Sequence, residues 1–355
     1  MKKTIKSVLF GFSVLAMTAT YVSAETTMRY VDGSPDRGTR ADAVKFFAKE
    51  MERLSDGELK FDPHWAGALL KWDAIMTGVG GGTADMGSII AGYEPKPLMA
   101  LGIGDLPLEN SDPWVGTRAM YDLMTQNVQM QEAMEKLNLV YLSNFTTGPV
   151  QFECAGKKQI LKVEDIAGLR IRATSTYGKV LRDLGANIVN TTYGEVYQAL
   201  DSGLVDCVAG YFYAMRAYKT FEVTDNMTEA DWGQIMGFAL VMNRDVWNGL
   251  PAKHQQALTQ AGSSMVDHFS ELQIAESDTI LNGLKSGDIG RKVPVEKMAL
   301  AERQKIIDAT QKYVKAWIND VTAQGMNGQE IWDEYTALIS KYEQERNDKG
   351  YPWAR

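Results

Sequence analysis

Two arginines, Arg170 and Arg172, stand two residues apart in the otherwise apolar stretch GLRIRATST, residues 168–176. On an extended strand alternate side chains share a face, so this pair points one way while Leu169, Ile171 and Ala173 point the other. One reading is a solvated strand face on which both charges are incidental. The other is an anion site, because a guanidinium presents a planar fork of donors that matches a carboxylate. In α/β sheets ligands bind beyond the carboxyl ends of strands, which favours Arg172 over Arg170 as the residue reaching into a crevice.

Other chemistries find little support in the residues. The three histidines, His64, His254 and His268, are far apart, and the last two fall on an expected surface helix. No pair of metal ligands stands at working spacing, and the nucleophile elbow Gly-x-Ser-x-Gly is absent. The run GVGGGTAD follows a helix and precedes a strand, the reverse of a phosphate loop, and reads as a helix terminator. Acidic residues total 45, but no spacing singles out a catalytic pair. No cofactor and no metal are expected; a periplasmic enzyme is kept as a rival reading.

Whatever positions Arg172 must fold outside the cytoplasm. The chain opens with Lys2, Lys3 and Lys6, an apolar run from Val8 to Ala19, and then Val22-Ser23-Ala24. That order predicts a secretory signal peptide, residues 1–24, cleaved after Ala24 and directing the protein to the periplasm. The apolar run is shorter than the roughly 20 residues of a membrane span. Removing 24 of the 355 residues leaves 331, enough for two lobes with separate cores. The formal net charge is −8 and three lysines leave with the leader, so nucleic acid is not an expected partner. Cys154 and Cys207 are either a disulfide, as an oxidising compartment permits, or two small buried hydrophobes.

Element order predicts the scaffold. TTMRYVDG reads as a strand, ADAVKFFAKEMERL as a helix with Val44, Phe47, Met51 and Leu54 at helical spacing, and LKFDPHW as a strand. A helix from about Leu69 to Thr77 and the strand ADMGSII follow. The alternation restarts near Ser143 with strand material at 139–153, LVYLSNFTTGPVQFE, then a helical turn at VEDIAG, followed by LRIRAT, TYGKVLRDLGA, NIVNTT, YGEVYQALDSG and LVDCVAGYFY. Both halves are therefore α/β, each with a mostly parallel sheet. GFALVMNRDVW suits a strand returning to the first half, and from Pro251 onward the chain reads as long amphipathic helices. The expected division is a first lobe at 25–142 with a return segment at about 235–265, a second lobe at 143–234 with about 266–300, and C-terminal helices at 301–355 covering both.

Four stretches resemble the solute-binding proteins of tripartite ATP-independent periplasmic (TRAP) transporters, in the dicarboxylate-binder-like family. They are AGALLKWDAIMTGVGGGTADMG (66–87), VEDIAGLRIRATST (163–176), LGANIVNTTYGEVYQALDSGLVDC (184–207) and ALVMNRDVWNGLP (239–251), in the family's order and spacing. The resemblance implies a periplasmic-binding-protein clamshell of two α/β lobes with hinge strands and a long helix spanning both. It also implies a small organic acid held between the lobes and handed to membrane permease subunits. The arginine of the family's GLKIR motif, which grips the ligand carboxylate, matches Arg172.

Two departures stand out. A second arginine carried by many relatives falls at or near Gln151, and an asparagine of their VDGQEN segment falls at Gly210. Aromatic residues are expected to replace them: Tyr211, Phe212 and Tyr213 after the strand, and Trp232. From the first lobe Asp36, Arg37, Ser88 and Tyr93 are expected to face the cleft. This set suits a monocarboxylate with an apolar, aromatic or polar remainder. Alternatives are an amine-bearing solute held on aromatic faces, or delivery to a sensor or an ATP-driven transporter.

Overall fold

The structure, a computed structural model, describes residues 25–355. The expected leader and its cleavage point lie outside the described residues.

Two sheets organise the chain. The first contains β1 (Thr26–Val31), β2 (Leu59–His64), β3 (Met86–Ile90), β4 (Leu139–Phe145) and, much later in sequence, β10 (Phe238–Asn243), in the order β2-β1-β3-β10-β4. The second contains β5 (Gln151–Cys154), β6 (Arg170–Arg172), β7 (Asn187–Val189), β8 (Cys207–Gly210), β9 (Asn226–Glu229) and β11 (Val295–Lys297), in the order β11-β9-β5-β8-β6-β7. In the first sheet β1 pairs in parallel with β2 and β3, whereas β10 runs antiparallel to β3 and β4. β10 is thus the returning strand that its apolar run suggested. The stretch 139–153 divides between the sheets: β4 stays in the first through Phe145, and β5 opens the second.

Short helices fill the connections. α1 (Thr39–Leu54), α2 (Ile75–Gly80), α3 (Pro113–Gln126) and α4 (Val128–Glu135) serve the first sheet; α5 (Ser175–Asp183), α6 (Val196–Asp201) and α7 (Phe212–Tyr218) serve the second. α1 buries Val44, Phe47 and Met51, the stripe its spacing predicted. The helix expected from Leu69 is shorter: a single 3₁₀ turn at Trp72–Ala74 leads into α2, and Ala66 with a left-handed φ of 56° breaks the chain before it. Cys207–Gly210 is the whole of β8, and Phe212 already belongs to α7, so the aromatic run LVDCVAGYFY changes from strand to helix at Tyr211.

Two antiparallel crossings join the lobes. Thr147 N–H donates to Ile235 O (3.0 Å), Val150 N–H to Gly233 O (3.1 Å), and Ile235 N–H to the Thr147 hydroxyl (2.9 Å). After α8 (Arg244–Gly249) comes α9 (Ala252–Ser286), 35 residues long, which packs on α1, α3 and β4 in one lobe and on α7 in the other. Gly262 marks the point where α9 crosses β4: a Cβ there would overlap the Leu142 carbonyl, and the Ser143 hydroxyl donates to Gly262 O (2.8 Å). α10 (Leu300–Ala323) then lies on α5 of the second lobe while Trp317 donates to Met99 O (2.9 Å) and Arg303 to Glu109 O (2.9 Å) of the first, so it spans both lobes, and α11 (Gly328–Lys349) packs on α3.

Cys154 and Cys207 are register partners in the antiparallel β5/β8 pair, with Cα atoms 4.1 Å apart, and they form a disulfide. His254, expected on a helix surface, is buried where α9 meets the start of β2 and bonds Glu58 (2.6 Å). Near the crossings Asp105, fully buried, accepts from Ser175 Oγ (2.7 Å) and Gly237 N–H (2.7 Å), tying the first lobe to the second and to the returning strand. Among the described residues no helix is long and apolar enough to cross a membrane.

Two measurements check these features. The disulfide closes a loop of 53 residues, and in the chain-entropy model such a loop is worth up to about 4 kcal/mol. A Cys154→Ala/Cys207→Ala variant should therefore unfold at lower guanidinium concentration while still binding ligand; an unchanged midpoint would contradict this. Burial pushes the Asp105 carboxyl up to about 6. An acid whose folded-state pKa is raised carries no penalty while protonated in both states and a growing one as pH climbs past its unfolded value. Between about pH 4 and pH 7.5 the wild type should lose about 2 kcal/mol relative to Asp105→Asn in urea titrations, and equal pH profiles would contradict it.

Candidate ligand-binding site

The sequence places strand ends at the rim of each sheet, and the shut lobes bring those rims together. Asp32 follows β1, Tyr93 lies just beyond β3, Arg172 ends β6 and Tyr211 follows β8. Three hydrogen bonds cross between the lobes around this point: Arg37 Nε to Ala217 O (2.7 Å), Tyr193 N–H to the Tyr93 hydroxyl (2.8 Å), and the Ser175–Asp105 contact. Between them is a largely apolar cavity of about 650 Å³, counting its open mouth. Its second-lobe wall is aromatic: Tyr193 stacks on Tyr211 with centroids 5.1 Å apart, Tyr218 meets Tyr193 edge-on at 5.0 Å, and Tyr213 adjoins Tyr211 at 6.4 Å. Trp72, Tyr93 and Phe238 face them from the first lobe.

Arg172 is 1% exposed and lines this cavity. Its Nε and Nη2 both donate to Thr191 O, at 3.0 and 2.8 Å, and its carbon lies 5.2 Å from the Tyr193 ring centre. That edge-on grip on one carbonyl fixes the fork and leaves Nη1 without a backbone partner. No carboxylate of the described residues pairs with it. A buried cation with only a neutral partner is costly, and a ligand anion is the natural complement. Arg170, on the same strand, is different: it is half-exposed and doubly bonded to Asp206, at 3.1 and 2.8 Å. The two arginines thus divide between the two readings, one solvated and paired, the other buried at the strand's carboxyl end.

A second guanidinium lines the cavity, and no motif pointed to it. Arg40, in the first turn of α1, is 8% exposed and sits near the rings of Trp72, Phe145 and Phe238, at 4.8, 4.5 and 5.5 Å. Its Nη2 donates to Asp32 (3.1 Å). Asp32 also accepts from the Tyr30 hydroxyl (2.5 Å) and from the Ser34 N–H and hydroxyl (2.7 and 2.5 Å), so its oxygens are saturated. Ser88 completes this network beneath the cavity, 2.7 Å from the Tyr30 hydroxyl.

Of the residues expected at the site, Arg172, Tyr211, Tyr213, Tyr93 and Arg37 line the cavity. The other five lie elsewhere. The Gln151 amide is used up by Asp231 Oδ1 (2.9 Å) and by the N–H groups of Ala230 and Asp231 (2.7 and 3.0 Å). Trp232 is fully buried between Tyr177 and Phe152, and Phe212, one position into α7, turns into a separate core with Met215, Ile280 and Leu284. Ser88 is beneath the floor, and Asp36 pairs with Lys45 (2.6 Å) at the surface.

The missing amide at 210 has a steric cause. Glu153, buried behind Tyr193 and Tyr211, accepts from the Tyr193 hydroxyl (3.1 Å) and the Tyr211 N–H (3.2 Å), and a Cβ on Gly210 would overlap its carboxylate. Burial pushes the Glu153 carboxyl up and holds the Tyr213 hydroxyl up at about 12. The tyrosines of the wall are therefore neutral hydrogen-bonding groups at physiological pH. Trp72 and Tyr193 were within reach of the sequence, since both lie in stretches that carry the resemblance; Arg40 had only its place, three residues after Arg37.

None of the histidines lines the cavity: His64 bonds Asp62 and His268 stacks on Phe46. No cluster of His, Cys, Asp and Glu among the described residues is arranged to hold a metal ion. The geometry is that of a cavity between two lobes, walled by aromatic rings and lined by two buried guanidinium groups.

Comparison with known proteins agrees. A solved TRAP solute-binding protein from Rhodoferax ferrireducens T118, in complex with copurified benzoate, superposes with a TM-score of 0.80 at 21% identity, covering 90% of this chain and 99% of that one. A solute-binding protein of Albidiferax ferrireducens is 24% identical over 300 residues, 83% of this chain and 80% of its own length. A monocarboxylate 2-oxoacid-binding periplasmic protein of a Nostoc species is 25% identical over 272 residues, 73% of this chain and 71% of its own length. The model of the bacterial extracellular solute-binding proteins, family 7, matches residues 31–320, and the chain belongs to that family.

Proposed function

We propose that the protein is the extracytoplasmic binding component of a TRAP transporter. It captures a small monocarboxylate with an apolar or aromatic body by closing its lobes, and presents the closed form to the membrane permease subunits. The observation that carries this reading is Arg172: a buried guanidinium at a lobe interface, held by the Thr191 carbonyl beside the Tyr211 side chain and without a carboxylate of its own. The aromatic wall beside it suits a planar or apolar remainder. Benzoate in the Rhodoferax protein and 2-oxoacids in the Nostoc protein belong to the same class of ligand. Export through the expected leader is consistent with a disulfide, which persists in oxidising compartments.

Closure is a population shift, driven only by contacts that the open form lacks. A charge-assisted arginine–carboxylate contact contributes about 1.5–3 kcal/mol, which biases the closed state by roughly 10- to 100-fold. Because Tyr93 and Arg37 bridge the lobes in the shut form, the contact forms as they engage. An amine-bearing solute fits less well: two guanidinium groups line the cavity, Asp32 is saturated by donors, and Glu153 lies behind the tyrosine wall, taken up by Tyr193 and Tyr211. The protein's work in this reading is binding and release, with no turnover.

The test begins with mass spectrometry of whatever copurifies, followed by thermal-shift screening of aromatic and aliphatic monocarboxylates. The best ligand should lose about 10- to 100-fold in affinity by calorimetry in Arg172→Ala, with the melting point of the unliganded protein little changed. Unchanged affinity would remove Arg172 from the site. A second check uses the amide of the same acid, which should bind the wild type more weakly by a similar factor; equal binding would contradict carboxylate recognition.

A further inference from the structure

The polarity of the cavity is two-ended. Arg172, with Tyr211 and Tyr193, forms one end. Arg40 forms the other, with Tyr213 and Tyr218 close enough to perturb it electrostatically. Tyr93 lines the same cavity and accepts from the Tyr193 N–H (2.8 Å). The two guanidinium groups come from opposite lobes, so a molecule touching both must span the interface.

Arg40 is under-used by the protein. It is more than nine-tenths buried, yet its only hydrogen bond to a described residue is Nη2 to Asp32, and Nε is buried without any partner. Buried donors are almost always satisfied, and a guanidinium that lines the cavity with a single hydrogen bond made has donors left for a ligand oxygen. The rings of Trp72, Phe145 and Phe238 hold the guanidinium in position, which lowers the entropic cost of meeting that acceptor. The charge of Arg40 is already balanced by Asp32, whose oxygens have no capacity left. A second carboxylate would therefore face Asp32 uncompensated, whereas a neutral oxygen would not.

Resting on the reading of Arg172 as the carboxylate anchor, we propose that Arg40 is a second recognition point, selecting monocarboxylates that carry a hydroxyl or carbonyl oxygen at the end away from the carboxylate. The ligand class is then a hydroxy- or oxo-substituted acid with an apolar or aromatic middle. Its carboxylate is held by the second lobe and its distal oxygen by the first. This arrangement makes lobe closure itself sensitive to the distal substituent, because only the shut form offers both ends.

Matched pairs of acids test it: benzoate with 3- and 4-hydroxybenzoate, and phenylacetate with its 3- and 4-hydroxy derivatives, titrated calorimetrically into the full protein freed of bound ligand. At least one hydroxylated acid should bind about tenfold or more tightly than its parent, and that ratio should fall to within about twofold in Arg40→Met. Arg172→Met should instead weaken both members of a pair. Removing Arg40 strips Asp32 of its charged partner, so Asp32→Asn/Arg40→Met, which removes the ion pair together, is measured alongside and should show the same collapsed ratio. Parents that bind without any hydroxylated derivative gaining, or a gain that survives both variants, would overturn the role of Arg40 alone. Failure of every acid to bind the wild type would overturn it together with the reading on which it rests.

Discussion

A guanidinium withdrawn from water and left without a protein carboxylate is the constraint from which the rest of this structure follows. Arg172 gains two hydrogen bonds from one carbonyl, Thr191 O, and the face of one ring, Tyr193. Neither neutralises it. Keeping such a group buried requires a rigid surround, and the chain supplies one: β6 ends at Arg172, the loop after β7 brings Thr191, and Glu153 behind the aromatic wall holds Tyr193 by its hydroxyl and Tyr211 by its N–H. Gly210 is small because that carboxylate occupies the space where a side chain would stand.

The lobes give this arrangement its use. Binding energy can shift a hinge only if the contacts exist in one state and not in the other. Here Arg172 is on the second lobe, while Arg40, Trp72 and Tyr93 come from the first. The interlobe bonds themselves are few and involve neutral acceptors or a buried acid, so they complete closure without dominating it. The lobes are joined where Thr147 and Ile235 run side by side, and the long α9 and α10 pack on both of them.

Much of the scaffold was legible because hydrophobic period and element order are local properties. The alternation of strand and helix and the long final helices could be read from the chain; of the strand expected at 237–247, Phe238–Asn243 is strand and the rest turns into α8, which Asn243 caps through its side chain. A rule of sheet geometry separated Arg172 from Arg170 by its place at the carboxyl end of a strand, and the two differ in burial and partners. Where side-chain direction decided, the sequence was mute. Tyr211 and Tyr213 line the cavity and Phe212 does not, because the chain turns helical at that point and a residue's bearing then rotates by about 100° per step. Gln151 was assigned by spacing and Trp232 by the resemblance, and hydrogen bonds to Asp231 and a tilted contact with Tyr177 hold them elsewhere. Arg40 went unnoticed because its pairing with Asp32 and its enclosure by three rings are long-range facts.

The most direct measurement is a crystal structure of the protein with its copurified or best-binding acid. The ligand carboxylate should lie about 2.7–2.9 Å from Arg172 Nη1, with Nε still on Thr191 O. A ligand whose carboxylate rests anywhere else in the cavity, with Arg172 bound to Thr191 alone, would contradict the picture at its root.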